Sequence, residues 1–196
     1  MKKCMIVFIA AVSMMCTSGC SLYGAEMYPM SVDPYVPVGE EDLRSGECSI
    51  QLGEEVSVCG QGAWYKGNDI LISSGGIYTI SGTYDSGCIK VTTDDPVKLI
   101  FSNAEITNPD GYAVESSADR LIIASDGTSS ITGNGGEYDN AVYSNGMTLI
   151  AGSGSMDING GIFSSGGIQF GRGVTTFCEI LRTEKGDIIS GVLSIG

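Results

Sequence analysis

Acidic side chains recur between short apolar segments in this chain of 196 residues. Asp85, Asp110 and Asp139 come just before such segments, and Asp95 and Asp119 come just after them. If the segments stack, equivalent carboxylates lie ~5 Å apart and repel each other by roughly 3 kcal/mol. A hard cation with oxygen ligands turns that repulsion into attraction, so these residues predict a Ca²⁺ site. The alternative is that Asp merely favours turns and faces water.

A second set of residues has the chemistry to hold sugar. Lys90, Glu115, Tyr143 and Phe163 occupy equivalent places in four similar segments, and alternation along a strand directs all four outward. Aromatic faces pack against the apolar faces of sugar rings, while polar neighbours bond to the hydroxyls. The set predicts a carbohydrate-binding surface, unless the C-terminal segment covers the aromatic rings.

Catalytic chemistry has few candidates in this sequence. The chain has no His, which excludes a Ser-His-Asp triad, a Cys-His pair and a His-rich zinc site. A lyase needs a base with cations around a uronate, and the Lys and Arg residues form no such cluster with carboxylates. Asp110 and Asp139 are candidates for the paired carboxylates of a hydrolase, but they fit a metal site or a turn equally well. We therefore expect no enzyme activity, with a lyase or hydrolase as an alternative.

The first twenty residues are typical of an export signal, because two lysines precede an apolar run too short to span a membrane. The run ends in Ser-Gly-Cys, which predicts a lipid on Cys20, with simple secretion as the alternative. We expect an extracytoplasmic protein that is lipid-anchored to the bacterial cell envelope, with residues 21–43 as a tether. In an oxidising compartment, Cys48 and Cys59 are expected to form a disulfide within an N-terminal cap, residues 44–66.

The elements that must position these residues repeat every 20–28 residues, a period typical of solenoids. One series of segments is 88–91, 113–116, 141–144 and 161–164; a second is 99–101, 121–123, 147–149 and 168–170. A third ends at Ile80, Ile106, Ile131 and Ile158. Three alternating strands per period predict an all-β parallel β-helix of about four to five coils over residues 67–170. Alternation directs Met147 and Leu149 inward, and residues 171–196 are expected to be a C-terminal cap or an unassigned tail.

The net charge of −13 bears on the partners. A strongly acidic protein is repelled by nucleic acid and by anionic membrane surfaces, so we expect no nucleic-acid partner. Contact with a membrane is expected through the lipid anchor alone.

Several ordered motifs resemble the clostridial cellulose- and pectin-binding carbohydrate-binding domains. They are residues 76–87 (GIYTISGTYDSG), 97–108 (VKLIFSNAEITN), 139–150 (DNAVYSNGMTLI) and 152–160 (GSGSMDING). The resemblance implies a right-handed parallel β-helix like that of pectate lyases, with Ca²⁺ and plant-wall polysaccharide as ligands. The later turns lack the acidic pair that members repeat and the pattern ends after Phe170, which implies a short or truncated member.

These observations together predict a non-catalytic protein that holds cellulose or polygalacturonate at the bacterial surface, with Ca²⁺ as the cofactor. An envelope scaffold or adhesin that binds no glycan is the main alternative. Its support is the lipid-attachment sequence and the proline-containing tether.

Overall fold

The computed structural model describes residues 47–171, 174–185 and 188–190. Cys20, the export signal, the whole tether and the first three residues of the predicted N-terminal cap lie outside these residues, so the predictions made for them stay predictions. Across the described ranges, no helix has both the length and the apolar character needed to cross a bilayer.

The described residues form sixteen strands and one short 3₁₀ turn at Gly136–Tyr138. The strands are β1 (Glu47–Leu52), β2 (Ser57–Cys59), β3 (Ala63–Lys66), β4 (Asp69–Ile72), β5 (Gly76–Tyr84), β6 (Cys88–Val91), β7 (Val97–Asn108), β8 (Val114–Ser116), β9 (Arg120–Asp126), β10 (Thr128–Gly133), β11 (Asn140–Ser144), β12 (Met147–Gly152), β13 (Ser155–Ser164), β14 (Ile168–Phe170), β15 (Thr175–Thr183) and β16 (Ile188–Ser190).

Parallel pairing stacks these strands into three faces. Face one contains β4, β6, β8, β11 and the C-terminal halves of β13 and β15. Face two contains β1, the N-terminal halves of β5 and β7, then β9, β12, β14 and β16. Face three contains the C-terminal halves of β5 and β7, then β10 and the N-terminal halves of β13 and β15. The predicted parallel β-helix is confirmed, with about four turns.

Stacked aliphatic side chains fill the interior between the faces. On face one, Ile89, Val114, Val142 and Ile162 lie in register from coil to coil, and each is fully buried. Burial of such a side chain contributes roughly 1.5–3 kcal/mol, so each coil is stabilised mainly by its neighbours. The predicted alignment of the face-one segments agrees with this register.

A bend in β5 changes one predicted column. Gly82 has φ of +89°, and a Cβ at this position would lie 2.3 Å from the carbonyl oxygen of Leu52. The register shifts at this bend, so Ile80 pairs with Phe101 on face two and Tyr84 pairs with Ile106 on face three. The prediction that Ile80 lies in the column of Ile106 is therefore wrong, because the corner separates them.

The predicted orientation of β12 is also wrong by one residue. Thr148 pairs with the inward Leu121 and Ile168 and is fully buried, whereas Leu149 lies on the outer side. Leu149 is nevertheless only 4% exposed, because it packs with Ile122 in a small second cluster outside the main core. Apolar residues occur on both sides of β12, so the sequence alone could not show which side faces the interior.

The two ends of the solenoid differ in the direction of their strands. In the segment predicted as an N-terminal cap, β1 joins the parallel sheet, whereas β2 and β3 pair antiparallel with β1 and β4. In the segment predicted as a C-terminal cap or tail, β15 and β16 pair in parallel with β13 and β14. The described part of the C-terminal segment therefore continues the solenoid.

Candidate functional site

The four residues predicted to bind sugar do lie together on the outside of face one. Strand pairing places Lys90 opposite Glu115, Glu115 opposite Tyr143, and Tyr143 opposite Phe163. Each is flanked along its strand by buried residues, so all four project outward. Adjacent strands are roughly 4.8 Å apart, which makes this a straight column parallel to the solenoid axis.

Aromatic rings stack at one end of this column. The ring centroids of Tyr143 and Phe163 are 5.2 Å apart with planes 11° from parallel, and Tyr112 adds a third ring 5.1 Å from Tyr143. Contacting rings lie ~3.5 Å apart across their faces, so the 5.2 Å separation implies a sideways offset of about 3.8 Å. The two rings are therefore offset-stacked, and part of each face stays uncovered.

This stack differs from a flat platform in one respect that matters for binding. A sugar ring cannot lie between Tyr143 and Phe163, because their faces contact each other. It can contact only the uncovered part of each face and the ends of the stack. Tyr112 was missed in the sequence, although it lies directly before the repeated segment 113–116.

Charged groups occupy the other end of the column. The Lys90 Nζ donates a hydrogen bond to Asp69 Oδ2 at 2.7 Å, and this bond raises the pKa of Lys90 above its ordinary value. Burial first, and then the Glu115 carboxylate, raises the pKa of the neighbouring Cys88 to about 12. The Cys88 thiol therefore stays protonated at neutral pH and is a poor nucleophile.

The next coil adds an arginine beside the aromatic stack. Arg182 pairs with Phe163, and its guanidinium carbon lies 3.6 Å from the centroid of the Tyr138 ring. Its Nη1 atom is buried and has no hydrogen-bond partner in the described structure. The sequence did not predict this contact, because Arg182 follows the last recognisable repeat.

The acidic residues predicted to bind Ca²⁺ do not converge. Asp85, Asp95, Asp110, Asp119 and Asp139 are all exposed, and the part of the chain described here contains no group of three or more His, Cys, Asp or Glu side chains suited to a metal ion. Local turn contacts account for several of them. The Asp110 amide donates to the Asn108 side chain, the Asp95 amide to Thr93, and the Asp119 carbonyl accepts from the next coil. These residues do not fit a calcium ion as a set, so calcium dependence stays a prediction.

The predicted Cys48–Cys59 disulfide is not formed in the structure, where both residues are free thiols. Cys48 is buried among the inward residues, whereas Cys59 pairs with the outward Ser49 and is exposed. Side chains that leave a sheet on opposite sides cannot be bridged without movement of the backbone. Both residues border a groove of about 560 Å³ on face two, together with Ser49, Gly60, Ile77, Thr79, Lys98 and Ile100. This groove contains no aromatic residue and lies on a different face from the stack.

Comparison with family models gave a match over residues 66–177, more than half of the chain, to a family described as carbohydrate-binding domain-containing protein. The matched segment includes Lys90, Glu115, Tyr143 and Phe163. Neither the comparison with curated proteins nor that with solved structures gave a match.

Proposed function

This chain belongs to the family of carbohydrate-binding domain-containing proteins, and from that premise we propose that it is a non-catalytic, extracytoplasmic protein that holds plant-wall polysaccharide. The observation that carries this proposal is the stack of Tyr143 on Phe163, at the end of an outward column within the matched segment. Offset rings with partly uncovered faces provide apolar contact for sugar C–H groups, and Lys90 and Glu115 provide polar groups for hydroxyls.

Charge favours a neutral polysaccharide such as cellulose over polygalacturonate. The chain carries a net charge of −13, which repels a polyanion at long range. Within the column, the Lys90 ammonium is already paired with Asp69 and Glu115 adds a carboxylate. Polygalacturonate would bind this surface only with a cation that offsets the repulsion between its carboxylates and those of the protein.

The proposed location rests on Cys20 and the export signal before it. A lipid on this residue and the tether that follows would hold the solenoid near the envelope. Replacement of Cys20 by Ser should abolish incorporation of labelled fatty acid and release the protein from the membrane fraction. Unchanged membrane association of this variant would contradict a lipid anchor.

Retention on insoluble polysaccharide tests the proposed function. The purified protein should be retained on cellulose, and Tyr143→Ala and Phe163→Ala should each reduce retention at least tenfold, since each removes a ring of the stack. Phe177→Ala is the matched control, because Phe177 is 60% exposed but lies on face three. Circular dichroism of each variant shows whether it is folded.

Other outcomes distinguish the alternatives. Retention on polygalacturonate that is lost with a chelator would support the calcium-dependent form of the proposal. Release of unsaturated sugar from polygalacturonate would show a lyase and contradict the non-catalytic function. A folded protein that is retained on neither polysaccharide would contradict glycan binding and favour the envelope scaffold.

A further inference from the structure

We propose that Trp64 is a second contact point of the same glycan site, so that the bound polysaccharide runs along the solenoid axis across face one. This inference rests on the proposed function and adds the direction and length of the ligand. Trp64 lies outside the segment matched by the family model, which starts at residue 66.

Strand pairing puts Trp64 in the column of the aromatic stack. In the antiparallel pair of β3 and β4, Trp64 lies directly opposite Leu71, and Leu71 lies opposite Lys90 in the next coil. Leu71 projects outward because Ile70 and Ile72 on either side of it are buried. Residues directly opposite each other share a face of the sheet, so Trp64 projects outward as well.

One line of side chains therefore runs the length of face one; we name it the axial strip. It consists of Trp64, Leu71, Lys90, Glu115, Tyr143 and Phe163. Five strand-to-strand steps separate its ends, a distance of ~24 Å. A single sugar ring is far shorter than this, so only an extended chain can contact Trp64 and the stack together.

The lack of a partner distinguishes Trp64 from the aromatic residue beside it. Trp64 and Tyr65 are similarly exposed, at 45% and 39%, but Tyr65 contacts Tyr84 edge-on and shares a hydroxyl hydrogen bond of 2.9 Å with it. Tyr65 is thus held in place by Tyr84. Within the described residues Trp64 has no equivalent ring contact or side-chain hydrogen bond, and a large exposed aromatic beside a polar surface is typical of a binding contact.

Small polar residues follow the axial strip along one side. Thr92, Ser117 and Asn145 each lie two residues after a member of the strip, and all three are exposed. Each backbone amide donates a hydrogen bond of 2.8–2.9 Å to the preceding coil, which holds this row in register. The Ser117 hydroxyl and the Asn145 amide can donate to or accept from the hydroxyls of a polysaccharide that follows the strip. The Thr92 hydroxyl donates to the Ile72 carbonyl oxygen at 3.1 Å and can accept from such a ligand. The row also contains no charge, consistent with a neutral ligand.

Affinity as a function of ligand length tests the proposal. The probes are soluble cello-oligosaccharides of increasing length from cellobiose upward, titrated into the purified protein by calorimetry. Trp64→Ala should weaken binding of the longest oligosaccharides about tenfold and leave binding of the shortest ones unchanged. Tyr143→Ala should weaken both, Trp64→Phe should restore most of the loss, and Phe177→Ala should change nothing.

The outcomes separate the two proposals. If Tyr143→Ala weakens binding but Trp64→Ala does not alter affinity at any length, the axial strip is overturned and the proposed function stands. If Trp64→Ala weakens long and short ligands equally, the two aromatics act on one short ligand and the axial direction is overturned. If the wild-type protein binds none of the cello-oligosaccharides, both the neutral-glycan function and this inference are overturned.

Discussion

Replacement of Thr148 by Val should stabilise the protein. Thr148 lies in the interior column of face two with Val97, Leu121 and Ile168, all of which are aliphatic and no more than 1% exposed. Its Oγ1 atom is buried and has no hydrogen-bond partner in the described structure. A buried hydroxyl without a partner has lost its hydration without compensation, and Val has nearly the same shape.

The magnitude follows from the hydroxyl that is removed. An unpaired buried polar group costs about 1–3 kcal/mol, so removal of this one should raise the free energy of unfolding by about 2 kcal/mol. For a domain of this size, that corresponds to a rise in Tm of about 6 °C. Urea unfolding followed by circular dichroism measures the first quantity, and calorimetry measures the second. Thr79→Val is the control, because Thr79 lies on the same face but is exposed.

Two results of the Thr148→Val measurement would contradict this prediction. If Thr148→Val leaves stability within about 0.5 kcal/mol of the wild type, as surface substitutions do, Thr148 faces outward and the register of β12 is the one expected from the sequence. If the substitution destabilises the protein by a similar amount to the predicted gain, the hydroxyl is satisfied by a buried water. Either result would overturn the argument from the buried, unpaired oxygen.

Three further predictions concern the backbone, the ion pair and the thiols. Gly82→Ala should lower stability by about 1–2 kcal/mol or more in urea unfolding, because it forces a side chain into positive φ against a neighbouring coil. Lys90→Met should cost less than about 1 kcal/mol at neutral pH, since Lys90 and Asp69 are 38% and 33% exposed. Because Asp69 raises the pKa of Lys90, this difference should persist below the ordinary value of 10.5 and disappear as the pH rises through the folded-state value. A thiol reagent should modify Cys59 in the native protein and Cys48 only after unfolding, as detected by mass spectrometry, because burial raises the pKa of Cys48.

The sequence predicted the fold and the central column because face one carries an unambiguous pattern. Each of its four segments has an inward Ile or Val directly before the outward residue, so the alignment of these segments was enough to bring Tyr143 and Phe163 together. Face two lacks this contrast. In β12, both Met147 and Leu149 on one side and Ile150 on the other are apolar, so alternation could not select between the two registers.

Contacts that depend on the ends of the solenoid could not be predicted from the repeat. Trp64 enters the column through an antiparallel strand that has no counterpart in the later coils. Arg182 enters it through a coil whose sequence no longer resembles the others. A single tryptophan just before the first repeat was the available signal for the former, and it became interpretable only once the pairing of β3 with β4 was known.

The spacing along the axial strip is set by hydrogen bonds of the main chain rather than by side chains. Substitutions can change what each position contacts, but they cannot move two positions closer together. Duplication of one coil would insert a single new position and lengthen the strip by ~4.8 Å, while loss of a coil would shorten it by the same amount. The length of ligand that such a surface recognises can thus change, in evolution or by engineering, only in increments of one coil.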